Sequence, residues 1–62
     1  MLTTRKTYTE PLSDGRVLSY WQGDNGMYEA EIRDWQGLIE SATIQNTMAE
    51  IWRWLIDYSI ND

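Results

Sequence analysis

The residues of this chain whose types and spacing could do chemistry are three glutamates, Glu29, Glu31 and Glu40. Glu29 and Glu31 stand two apart, the spacing that puts two side chains on one face of a strand. Across a tight turn at Trp35-Gln36, Glu31 would sit directly opposite Glu40, with Glu29 beside the pair. Facing carboxylates can share acid and base roles, or hold a hard cation such as Mg²⁺. Both uses need a cleft, and a sheet face built from 62 residues offers an open surface instead. The chain contains no cysteine and no histidine, which removes Cys–His and Ser–His nucleophiles, disulfides and the preferred ligands of zinc. No catalytic, cofactor-binding or metal-binding residue is therefore assigned. Like charges facing across strands destabilise a sheet by an amount comparable with the ~0.2–1 kcal/mol that favourable pairs contribute. Glu29, Glu31 and Glu40 are accordingly read as a docking site for a basic protein, with Trp54 as a further interface residue.

Composition sets the wider limits. A chain of 62 residues is one domain, residues 1–62, and its core rarely yields more than about 3–5 kcal/mol. With disulfides excluded, extra stability must come from aromatic packing or from a second chain. Four Trp and four Tyr supply the first, and a homodimer is expected to supply the second. The net charge of −5 argues against nucleic acid or an anionic membrane as a direct partner, because both demand clustered Lys and Arg. There is no charged-then-apolar leader and no apolar run of about 18–20 residues. A cytoplasmic protein without a signal peptide or membrane span is expected.

The elements that must hold these residues follow from periodicity and turn chemistry. Residues 1–10, rich in Thr, read as an extended strand that lies at a sheet edge or ends at Pro11. Ser13-Asp14-Gly15 should close a hairpin onto residues 16–22, and Gly23-Asp24-Asn25-Gly26 should close a second. A two-residue turn at Asn25-Gly26 would place Trp21 on the face of Ala30. A three-residue loop with Gly26 left-handed would place Leu18 and Tyr20 there instead, since one residue of slip flips every side chain. Both registers stay open. Tyr28, Ala30 and Ile32 alternate with Glu29, Glu31 and Arg33, a strand with one buried face.

Asp34-Trp35-Gln36-Gly37 has Asp and Gly where a type I turn prefers them. A two-residue loop there pairs Ile32 with Ile39 inward, Glu31 with Glu40 outward, and Ala30 with Ser41. From Ile44 the spacing Ile44, Met48, Ile51, Leu55, Tyr58 is helical. Thr43 would be its N-cap, although Thr47 and Glu50 also form a capping box that would mark a later start. Trp52 falls nearer the centre of the apolar stripe and is expected in the core, with Trp54 further out. Residues 59–62 should fray. The expected fold class is α+β: an antiparallel β-meander of three to four strands, then one C-terminal helix packed on one sheet face.

Tyr28-Glu29-Ala30, Asp34-x-x-Gly37 and Thr43-Ile44 together resemble the HicB-like antitoxin family over roughly half the chain. That family's pattern is a tyrosine-bearing strand, a P-D-x-P-G turn, a short strand, and G-D-T-hydrophobic leading into a helix. Ser41-Ala42 replace the Gly-Asp here, and Arg33 and Gln36 stand where the family usually has prolines. The resemblance implies a partial ribonuclease-H-like fold, β-β-β-α, without that fold's metal-binding carboxylates. It also implies oligomerisation and the covering of a small basic messenger-RNA-cleaving toxin. Members often carry a separate C-terminal DNA-binding domain, which is not expected in this chain. Two further readings stand beside it. One is a structural homo-oligomer that buries its sheet face or its Trp54 flank in its own copy. The other is an acidic mimic of nucleic acid.

Overall fold

Three short loops, each ending in glycine, set the course of the chain. The computed structural model describes residues 6–61, so residues 1–5 of the expected first strand lie outside the described residues. Four strands follow in sequence, β1 (Thr7–Pro11), β2 (Val17–Gln22), β3 (Tyr28–Arg33) and β4 (Ile39–Gln45), and then a helix, α1 (Met48–Asn61). They form one antiparallel sheet in the order β1-β2-β3-β4, with α1 lying across β3 and β4. This is the α+β meander-plus-helix that the periodicity predicts.

Each hairpin closes through a residue that donates its N–H to the carbonyl four positions on: Leu12 to Arg16 at 2.8 Å, Gly23 to Met27 at 2.7 Å, and Asp34 to Leu38 at 2.9 Å. The last loop residues, Gly15, Gly26 and Gly37, have φ of +78°, +83° and +88°, the left-handed backbone that glycine adopts without strain. In the second hairpin this selects the three-residue loop. Leu18 therefore pairs with Ile32 and Tyr20 with Ala30 beneath the helix, and Trp21 turns to the opposite face beside Glu29. Hydrogen bonding alternates along antiparallel strands, so each residue offers its N–H and C=O to one side only. Counted from the Leu12–Arg16 closure, the nitrogen of Pro11 faces away from β2. That is why an edge strand tolerates it.

The third hairpin differs from the register expected of a two-residue loop. Gly37 donates to the Asp34 carbonyl at 2.9 Å, and the Asp34 carboxylate accepts from the N–H groups of Gln36 (2.9 Å) and Leu38 (3.0 Å). Arg33 then pairs with Ile39, while Ile32 pairs with Ser41 and Glu31 with Ala42. Glu40 is the extra residue of a β-bulge. Two expectations fall with this. Glu31 and Glu40 do not face each other, and Ile39 lies outside the buried face at 55% exposure.

The helix starts at the later of its two candidate positions. Thr43 and Ile44, both β-branched, continue β4, and Ile44 is 59% exposed rather than part of the helical stripe. Thr47 and Glu50 form the capping box: Glu50 N–H donates to Thr47 Oγ1 at 3.3 Å, and Thr47 N–H donates to Glu50 Oε1 at 3.1 Å. The helix continues through Ser59, past the point where fraying was expected, to Asn61. Leu18, Ala30, Ile32 and Ile51 are fully buried, flanked by Leu12, Tyr20, Tyr28, Met48, Trp54, Leu55 and Tyr58. The two tryptophans exchange the roles expected of them. Trp54 packs against the core, while Trp52 is 38% exposed over Tyr20, where the helix overhangs β2.

Ile51 is the helix's one fully buried side chain among the described residues, so Ile51→Ala should cost about 2–5 kcal/mol. In a domain of about 3–5 kcal/mol total stability that variant should lose its cooperative thermal transition by far-UV circular dichroism. Thr47→Ala should cost about 1 kcal/mol and keep a folded, lower-melting protein.

Candidate functional site

The face of the sheet that α1 does not cover is built from three cross-strand rows. Thr7, Trp21, Glu29 and Ile44 make the first, Thr9, Ser19, Glu31 and Ala42 the second, and Pro11, Val17, Arg33 and Ile39 the third. On the central strand β3, Glu29 is thus bordered by Trp21 and Ile44, and Glu31 by Ser19 and Ala42. Trp21, Glu29, Glu31, Ala42 and Ile44 line a shallow trough of about 490 Å³.

The carboxylates are not equivalent. Glu31 is held by Arg33 of its own strand, Nε to Oε1 at 3.0 Å, and Arg33 Nη1 also donates to the Gly37 carbonyl at 2.7 Å. Glu29 has no hydrogen-bond or ion-pair partner among the described residues, and its carboxylate lies against the backbone of Gly23. Glu40 leaves this face altogether. The bulge turns it toward the helix side, where it binds Arg16 Nε at 2.9 Å and accepts the Tyr58 hydroxyl at 2.5 Å. Arg16 also stands 5.7 Å from the Tyr58 ring centroid. This cluster ties the first loop, the start of β4 and the end of α1 together. Glu29 and Glu31 therefore stay adjacent, while Glu40 is a structural tie on another surface.

Trp54, the fourth residue expected at an interface, is half-buried with its ring 6.5 Å from that of Tyr58. A helical wheel sets it on the flank opposite Trp52, hence toward β4. On the Trp52 side lies a larger aromatic cleft of about 720 Å³, lined by Lys6, Tyr8, Tyr20, Tyr28, Met48 and Trp52. Tyr8 and Tyr20 stack at 5.3 Å, and Trp52 meets Tyr20 edge-on at 5.2 Å. Sequence reasoning missed this cleft. A three-residue Ser13-Asp14-Gly15 loop would have found it, because that loop alone puts Tyr8 opposite Tyr20.

Among the described residues no group of three Asp, Glu, His or Cys side chains converges on a metal-sized space. No helix among them is long and apolar enough to cross a membrane. No family model, curated protein or solved structure matches the chain. The fold itself defines the class, a small two-layer α+β domain with one sheet face left open.

The Glu40 carboxylate accepts from both Arg16 and Tyr58, so the Tyr58 contact can be weighed apart from the ion pair. A double-mutant cycle of Glu40→Gln and Tyr58→Phe, read by urea denaturation, should give a coupling of about 1 kcal/mol.

Proposed function

We propose that the chain is a small, acidic, non-catalytic interaction protein that docks a basic protein on its open sheet face. The observation that carries this reading is the trough at Trp21, Glu29, Glu31, Ala42 and Ile44. It joins an unpaired carboxylate, Glu29, to exposed apolar side chains, the mixture that marks protein interfaces. The net charge of −5 would steer a basic partner toward it. The role fits what the HicB-like resemblance implies, a cover for a small basic toxin, and the segment β2-β3-β4-α1 has the β-β-β-α order of that family, although Thr43-Ile44 lie within β4 and do not open the helix as that pattern has them. The Glu40 carboxylate is no part of this surface, which narrows the acidic site to Glu29 and Glu31.

Affinity capture with the wild-type chain, beside the Glu29→Lys/Glu31→Lys double variant, tests it. The expected result is one basic protein recovered by the wild type and lost, by at least about tenfold, with the variant. Glu40→Gln, changed off the docking face, should recover it as the wild type does. Equal recovery by wild type and charge-reversed chain, or a captured protein that is acidic, overturns the reading.

A further inference from the structure

The two edges of the sheet are made differently. β1 is five residues long, ends in Pro11 and follows Lys6, the usual guards against pairing with another strand. β4 is seven residues long, Ile39-Glu40-Ser41-Ala42-Thr43-Ile44-Gln45, and holds no Pro, Lys or Arg. Its one charge, Glu40, is turned away to Arg16 and Tyr58. Among the described residues nothing pairs with the outer side of β4. Counted from the Asp34–Leu38 closure and past the bulge, Ser41, Thr43 and Gln45 bond to β3, while Ala42 and Ile44 direct their N–H and C=O groups outward.

We infer that β4 is a self-pairing edge and that the partner it fits is a second copy of this chain. Two β4 strands pair antiparallel about a two-fold axis at Thr43. That register sets Ala42 of each copy opposite Ile44 of the other, so outward groups meet outward groups in about four backbone hydrogen bonds. It also packs each Ile44, 59% exposed in the single chain, against an alanine methyl. Thr43 meets Thr43 across the axis on the helix side, a favourable cross-strand pair. Ser41 to Gln45 carry no charge, so the self-match sets no like charges face to face. A second β1 could not substitute, because its edge lacks the Pro11 donor. The product is a continuous sheet twice the width of the four-stranded one, with both helices on the same side.

One strand pair buries less than the roughly 800 Å² per partner of a standard interface, so the dimer is weak and concentration-dependent. Sedimentation velocity of the wild-type chain from about 10 µM to about 1 mM should show a monomer–dimer shift. Ala42→Pro removes only an outward N–H, as Pro11 does on β1, and should stay monomeric across that range with an unchanged circular dichroism spectrum. Should that variant not fold, Ile44→Pro removes the neighbouring outward donor and carries the same expectation. Amide exchange of the wild type adds a readout that needs no variant: protection at Ala42 and Ile44 should rise with concentration. A wild type monomeric at about 1 mM, a dimer that survives in a folded proline variant, or exchange at Ala42 and Ile44 that ignores concentration overturns the inference. The Glu29→Lys/Glu31→Lys chain keeps this edge, so loss of capture without loss of the dimer separates the docking face from the edge.

Discussion

A single extra residue in β4 governs how the two faces of this domain are composed. The Asp34–Leu38 closure, continued without interruption, would set Ile32 opposite Glu40 and place Ala42 and Ile44 beneath the helix. The bulge at Glu40 instead brings Ser41 opposite Ile32. Small and polar Ser41, Thr43 and Gln45 then lie on the helix side, and Ala42 and Ile44 join Trp21 and Ile39 on the open face. The same bulge carries the Glu40 carboxylate to Arg16 and Tyr58, where it holds the end of the helix to the sheet. Register and tertiary anchoring are thus one feature, because the residue that breaks the ladder is the one that binds across it.

The cost of that arrangement is a thin core. Leu18, Ala30, Ile32 and Ile51 are its buried members, and among the described residues the helix adds one fully buried side chain, Ile51, with Met48, Trp54, Leu55 and Tyr58 packed partly buried around it. Rings fill the space around them: Tyr20, Tyr28, Trp54 and Tyr58 contribute area and, through Tyr58, a polar contact. A two-layer domain of this size has apolar side chains left over, and here they include Trp35 and Leu38 at the third turn and Ile56 on the helix. Ile39 and Ile44 stand on the outermost strand, and Trp52 and Tyr8 frame the aromatic cleft on the other side.

The surfaces also differ in the physics they offer. The open face presents side chains, with Glu29 unpaired between Trp21 and Ile44, and would select by charge and shape. The β4 edge presents backbone, and would select by register and by the absence of charge. The proposed basic partner and the proposed second copy would not compete, because outward backbone groups and the open face point in perpendicular directions.

Much of the fold was legible in the sequence because it depends on local chemistry. Ser13-Asp14-Gly15, Gly23-Asp24-Asn25-Gly26 and Asp34-Trp35-Gln36-Gly37 name their own turns and Tyr28-Ala30-Ile32 names a half-buried strand, while Thr47 with Glu50 offered only the second of two helix starts, behind Thr43. These follow from φ preferences, side-chain caps and a period of two, which neighbours in the chain settle among themselves. Register is different, since turns of two and three residues are both open to the same sequence and differ by one step that inverts a strand. The separation of Glu40 from Glu29 and Glu31, the outward turn of Ile44 and the exchange of roles between Trp52 and Trp54 all depended on contacts distant in sequence. The partners of Glu40, Arg16 and Tyr58, lie 24 residues before it and 18 after it in the chain, and only the assembled sheet and helix bring them together.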